Sequence, residues 1–498
     1  MGRRGRNIPY QAVGATAAGS RSFSSVLPRP SPRSRVRTAF ANLSLRDNTV
    51  KVSVIGAGHV GLIAGVCLAE VGHDVVCMDN DASRVEALRS GKAPFYEPYL
   101  QELLEANNGG EKLVFTTELA DTVRHAEVIF LCVGTPPLPD GEADLSTVER
   151  VSRQIATLSD GYTLVVEKST VPVLTGTRIH ATMQTYGRGR DGVEFEVASN
   201  PEFLSEGTAV QDYLFPDRIV IGVESRRAEK LLRDVYAPIV EQSFAWRPKP
   251  SVNRPPPRPM LMTNRSTAEI IKHASNSFLA TKISYINMVA RLCDEVGADV
   301  AQVAEGMGLD RRIGSHFLNS GIGFGGFCFP KDLQAFVAMA ERSRCDFGLL
   351  KNVEAVNQQC VAEFITKVKK ELWVLKGKRI GVWGLAFKAN TDDMRFSQAA
   401  AVVEELLKEG AEIRAYDPCA MDEARKELPP IEYADSAEAA AADCDALVIL
   451  TEWPEFRKVD LISLREKMLR PLILDGRNLL DPKALRDLGF EYVSIGRP

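Results

Sequence analysis

No two of the chain's nine cysteines form a CxxC pair, and only six histidines occur in 498 residues. That scarcity excludes the usual zinc-ligand spacings, and the scattered thiols read as reduced, intracellular cysteines. No uninterrupted apolar run approaches the roughly 18–20 residues that a membrane-spanning helix requires. Charge of one sign is also in short supply: the formal net charge is −4, which gives no overall reason to expect nucleic acid as a partner. Lysine is missing from residues 1–48, which carry nine arginines and a single acid, Asp47. That bias matches a mitochondrial or plastid transit peptide, with a disordered basic leader as the alternative. Either way this segment is set aside from the fold.

What is present is enough chain for two or three domains. From Lys51, "KVSVIGAGHVGLIAGVCLAEVGHDVVCMDND" reads as buried strand, glycine turn, helix and a second strand ending in an acid. Gly56 suits the tight turn, Gly58 lets backbone approach a pyrophosphate, and Gly61 lets helix pack on strand. The helix N-terminus offers free amides to phosphate. Asp79, 23 residues after Gly56, is placed to hold ribose hydroxyls and to repel a 2′-phosphate. The context predicts a site for NAD rather than NADP. Further apolar runs at 127–137, 163–172 and 218–225 predict a parallel sheet covered by helices.

Residues 246–260 hold six prolines and no periodicity, so an extended loop is expected. A helix longer than 25 residues should follow, starting at Ser266 or Thr267, of a length that joins domains or mediates self-association. At Lys378 the plan of strand, glycine turn, helix and strand begins again and ends at Asp417, with only Gly381 and Gly384 in the turn. The expected architecture is α/β: two Rossmann-like doubly wound domains joined by a long helix and a helical middle. The boundaries are 1–48 leader, 49–245 NAD-binding domain, 246–262 Pro-rich loop, 263–375 central domain and 376–498 second Rossmann-like domain.

Between the two halves, "GIGFGGFCFPKD" (321–332) sets Cys328 after four glycines and before Lys331 and Asp332. A thiol near NAD suggests oxidation through a thiohemiacetal and a thioester, since sulfur is intrinsically nucleophilic. A small buried core cysteine is the competing reading.

From Lys51 onward the chain resembles the UDP-glucose 6-dehydrogenase branch of the nucleotide-sugar dehydrogenases. The resemblance rests on "GAGHVGL", "EKSTVP", "SNPEFLSEGTA", "KHASNSFLA", "GIGFGGFCFPKD", "AFKANTDDMR" and "DGRNLL", in that order. It implies NAD-dependent, two-step oxidation of UDP-glucose to UDP-glucuronate, with glycines clearing room for the sugar beside the thiol. By resemblance Cys328 is the nucleophile, while Lys272 and Asn276 stabilise the oxyanion. Asp332 handles water and protons, and Thr170, Glu202 and Glu206 order water. The base of the first oxidation stays open among these. Glu202 and Glu206, four apart, would share a face if helical.

Cofactor contacts implied in the same way are Gly56, Gly58, Val60, Gly61, Asp79, Arg84, Val133, Thr135, Thr170, Glu206, Lys331 and Arg395. Substrate contacts are Glu202, Phe203, Leu204, Lys272, Asn276, Asn319, Gly321, Gly323, Phe324, Gly325, Phe387, Lys388 and Arg477, with Arg312 reaching a neighbouring subunit. No metal, nucleic acid or membrane is expected. A homodimer or larger homo-oligomer is, located in the cytoplasm unless the leader directs it to mitochondria. The alternatives are GDP-mannose or another nucleotide sugar as substrate, a single-step hydroxyacid dehydrogenase, and a sensor without catalysis.

Overall fold

In the computed structural model, residues 49–110, 112–139, 141–248 and 258–497 are described. The leader, and residues 249–257 of the Pro-rich loop, lie outside them.

The first apolar runs become β1 (Lys51–Ile55), β2 (Asp74–Met78), β3 (Leu113–Thr116), β4 (Val128–Leu131), β5 (Tyr162–Glu167) and β6 (Glu194–Ser199). β7 (Ile219–Gly222) and β8 (Met260–Thr263) complete an eight-stranded sheet in the order β3-β2-β1-β4-β5-β6-β7-β8. Every pairing is parallel except β6 with β7, which is antiparallel, so the sheet is mixed at one step. β8 also corrects the expected boundary at 245, because Met260–Thr263 returns from the Pro-rich stretch to pair with β7. β4 and β7 are buried along their whole length, as strands covered on both faces must be.

The second copy of the plan gives β9 (Arg379–Trp383), β10 (Glu412–Tyr416), β11 (Glu432–Tyr433), β12 (Ala446–Ile449), β13 (Leu472–Asp475) and β14 (Glu491–Ser494). Their order, β11-β10-β9-β12-β13-β14, repeats that of β3 to β6 and is parallel throughout. In each sheet the strand order reverses beside the first strand, which opens a crevice at the carboxyl ends of the strands.

Between the sheets lie helices Arg265–Val296, Val300–Gly308, Cys328–Arg342 and Gly348–Leu372. The first runs 32 residues because no glycine or proline interrupts it. It starts earlier than Ser266 or Thr267: Asn264 is the cap, its side chain accepting from the Thr267 amide at 2.8 Å. Gly297 ends it with φ +73°. No helix among the described residues is long and apolar enough to cross a membrane.

Candidate active site

The glycine turn after β1 is shaped by two contacts. Gly56 takes φ +98°, and a Cβ there would lie 2.7 Å from the Cys132 carbonyl; a Cβ on Gly61 would meet the Gly56 carbonyl at 1.8 Å. Gly58 differs. A Cβ there would meet nothing within 4 Å, so the protein itself does not require glycine, whereas a closely approaching phosphate would. Val60 packs on the core beneath the turn. Asp79 is buried at the end of β2, accepting from the Ala57 amide at 2.8 Å and from Arg84 at 3.1 Å. The loops after β4 and β5 meet over the crevice, where Thr135 donates to the Thr170 carbonyl at 2.9 Å and Ser169 to that of Val133 at 2.7 Å. These residues suit a dinucleotide.

The equivalent turn of the second domain is held by an additional partner, the Trp453 indole. Asp417 stands where Asp79 stands, but accepts from the Leu385 and Ala386 amides and from the Trp453 indole at 3.1 Å. Ala386, at the position of Gly58, is fully buried.

The chemistry-bearing side chains gather along one stretch of the long helix. Lys272, buried, donates to Glu202 at 2.7 Å. Burial opposes charge on the lysine, but Glu202, Asp332 and Cys328 outweigh it and raise its pKa. Burial likewise works against the Glu202 carboxylate, and Lys272, the Leu204 amide and Lys168 together outweigh it and lower its pKa. One helical turn on, Asn276 donates to Asp332 at 2.7 Å, and Lys331 donates to the other Asp332 oxygen at 2.8 Å. Burial works against the Asp332 carboxylate, and Lys331, Lys272 and His273 together outweigh it and lower its pKa. Cys328 opens the helix that carries Asp332 and is half-buried. Burial, then Glu202 and Asp332, push its thiol up to about 12 against the pull of Lys272. The thiol therefore rests protonated.

Glu202 and Glu206 do not share a helix face, because residues 201–205 form no helix and Gly207 turns with φ +84°. Glu202 instead bends back to the Leu204 amide at 2.5 Å, and Phe203 is covered by Arg218, 3.7 Å above its ring. Glu206 lies 3.6 Å from Arg395, and burial followed by Asp393 raises its pKa to about 7. Arg395 pairs with Asp393 and lies 4.6 Å over the Phe327 ring. Lys388 donates to Ser205 at 2.8 Å, bringing the second domain against this segment.

The glycines before Cys328, expected to clear space for a sugar, are each required by the protein's own packing. A Cβ on Gly321 would meet the Gly476 carbonyl at 2.9 Å, and on Gly323 the Asn357 side chain at 2.6 Å. On Gly325 it would meet the Phe396 carbonyl at 2.3 Å, and on Gly326 the Phe387 ring at 2.7 Å. These glycines let the loop lie flat on the second domain and on helix Gly348–Leu372. Asn357 grips both backbone groups of Phe324, at 2.7 and 2.9 Å. Arg477 donates to the carbonyls of Gly323, Phe387 and Leu450 at 2.8–3.0 Å. Asn319 is exposed where the loop begins. Arg312 joins none of these groups; its side chain is 83% exposed and chelated by Asp310.

Sequence reasoning missed Arg218, Asn357, His59 and Glu97. His59 is legible only as the variable residue after Gly58, and Glu97 sits in "FYEPY", which carries no spacing signal. Among the described residues no group of acids, cysteines and histidines could hold a metal.

Residues 50–240 match the NAD binding domain of the UDP-glucose/GDP-mannose dehydrogenase family, 266–359 its central domain and 381–482 its UDP binding domain. The chain is 44% identical over 454 residues to a UDP-glucose 6-dehydrogenase of Rhizobium meliloti, covering 90% of this chain and 100% of that one. It is 41% identical to UDP-glucose 6-dehydrogenase TuaD of Bacillus subtilis over 449 residues, 90% of this chain and 93% of that one. Among solved structures it resembles a UDP-glucose dehydrogenase of Pyrobaculum islandicum, with TM-score 0.80 and 37% identity over 91% of this chain and 98% of that one.

Proposed function

The chain belongs to the UDP-glucose/GDP-mannose dehydrogenase family, and from that premise we propose that it oxidises UDP-glucose to UDP-glucuronate by two successive hydride removals. The observation that carries this reading is the convergence of Lys272–Glu202 and Asn276–Asp332 beside the thiol of Cys328. NAD, when bound against Gly58 and Asp79, supplies the hydride acceptor.

The remaining steps fall to the chain. The sugar's C6 alcohol gives up a hydride and its proton to become an aldehyde. Cys328 Sγ adds to the aldehyde carbon, and the thiol proton ends on the former carbonyl oxygen. That adduct loses a second hydride and its hydroxyl proton to give a thioester. Water then adds, the sulfur leaves as thiol, and a carboxylate is released. Lys272 and Asn276 face the oxygen that gains charge in these steps, in a site dry enough to strengthen each contact. Asp332, beside them, receives and returns protons, while Thr170, Glu202 and Glu206 order the water. Lys388 and Arg477 provide positive charge for the diphosphate, and the loop 319–325 cradles the uridine.

Large apolar side chains are exposed at Phe278, Tyr285, Met288, Leu292 and Val296, along one face of the long helix. That stripe supports a homodimer, in which Arg312 of one copy would reach the other's substrate. All nine cysteines are free, which suits a reducing compartment, and the cytoplasm is the proposed location. The test is stoichiometry: purified protein should form about two NADH per UDP-glucose, with UDP-glucuronate as product. One NADH with free aldehyde would overturn the covalent route, and oxidation of GDP-mannose alone would overturn the substrate.

A further inference from the structure

Glu97 takes no part in the steps above, yet it is buried and bonded on three sides. Its Oε1 accepts from the Ala209 amide and its Oε2 from the Gly207 amide, each at 2.8 Å. The same Oε2 lies 3.3 Å from His59 Nε2. His59 is the first residue of the helix that the glycine turn opens, and its ring stacks on Phe95 at 4.8 Å. Gly207 follows Glu206 directly. One carboxylate thus bridges the dinucleotide turn and the segment carrying Glu206. Tyr96, between Phe95 and Glu97, donates its amide to Asp392 of the second domain at 2.9 Å, so this short segment touches three parts of the site.

We propose that Glu97 is a positioning residue that fixes Glu206 in register with the dinucleotide turn. The inference rests on the role given to Glu206 in the proposed reaction. A carboxylate offers about four lone-pair sites, and two amides and an imidazole use three of them. Glutamine offers a single acceptor oxygen and sets an N–H₂ against one of the donors. Charge matters as well. Burial disfavours the His59 cation, but Glu97 and Glu206 more than offset it. Glu206 itself faces Asp393, Arg395 and Lys388 from the second domain and His59 from the first. Without Glu97, His59 loses its proton more readily, and Glu206, with less positive charge beside it, keeps its own to higher pH.

The experiment compares wild type, Glu97→Gln, Glu206→Gln and the double variant in steady-state turnover of UDP-glucose with NAD. Glu97→Gln should lower kcat by about tenfold or more and move the acid limb of the pH profile to higher pH. In the Glu206→Gln background it should add less than about a further twofold loss, since both changes act through one group. Glu97→Asp, which keeps the charge but shortens the reach, should fall between Glu97→Gln and wild type. Full multiplication of the two losses, or an unmoved acid limb in both Glu97 variants, would overturn the proposal. Wild type inactive on UDP-glucose would instead overturn the substrate assignment, and the same comparison would then be read with whichever nucleotide sugar it oxidises.

Discussion

Lys272 and Glu202 form an ion pair of 2.7 Å between a helix of the central domain and a loop of the first, with both side chains at most 5% exposed. A pair this dry is costly to break from one side, because the Glu202 carboxylate is then left out of water with only the Leu204 amide and the charge of Lys168 to hold it. Lys272→Ala should therefore destabilise the fold by about 3–5 kcal/mol and reduce kcat by roughly 10²–10³-fold. Adding Glu202→Gln should recover part of the stability and none of the turnover. Thermal melts and steady-state kinetics on the two variants separate these effects.

Cys328→Ser keeps the volume and removes the nucleophile. Turnover to the acid should fall by about a thousandfold or more, some 4 kcal/mol in barrier, with the melting temperature nearly unchanged. Since the thiol is pushed up to about 12, its alkylation by iodoacetamide in the resting protein should be slow near neutral pH and rise about tenfold per pH unit through the alkaline range. Peptide mass spectrometry after timed labelling reads this out, with exposed Cys345 as the internal reference.

Asp79→Ser should narrow the preference for NAD over NADP by about tenfold, the worth of roughly 1.4 kcal/mol. The carboxylate that repels a 2′-phosphate goes, and Arg84, 3.1 Å from it in wild type, is released to meet the phosphate. The ratio of kcat/KM for the two cofactors is the measurement.

Glu167, buried at the end of β5, has its pKa raised well above the ordinary value by burial and then by Glu269, and its Oε1 has no hydrogen-bond partner. A carboxyl raised on folding gives stability that is present in full below its unfolded pKa and is lost as pH rises through the folded one. Glu167→Gln cannot ionise. Its melting temperature should exceed that of wild type near pH 8, with the gap closing toward pH 5.

Leu292→Glu combined with Phe278→Glu puts charge into the exposed apolar stripe. Light scattering after gel filtration should show a shift from dimer to monomer, and activity should fall with it if Arg312 serves the neighbouring copy.

The two sheets and the long helix are legible in the sequence because their signals are local. Gly56, Gly58, Gly61 and Asp79 lie within one strand–helix–strand unit, and 32 residues without glycine or proline announce one helix. What stayed hidden depends on distant partners. The glycines before Cys328 looked like space for a ligand, whereas their neighbours are Gly476, Asn357, Phe396 and Phe387, brought there only by folding. Spacing allowed Glu202 and Glu206 one helix face only if the segment were helical, and the chain there is bent by Glu202 and Gly207. Glu97 meets Gly207 and Ala209 across 110 and 112 residues, and no periodicity reports such a contact.

The flat docking of the loop before Cys328 also bears on inheritance. Every single-base missense change in a glycine codon introduces a Cβ, and at Gly321, Gly323, Gly325 and Gly326 that atom would fall within 2.9 Å of another part of the protein. No conservative allele exists at these four codons. Variants arising there would behave as temperature-sensitive losses of the whole polypeptide rather than as altered preferences for a sugar, and a genetic screen for changed specificity would return none of them.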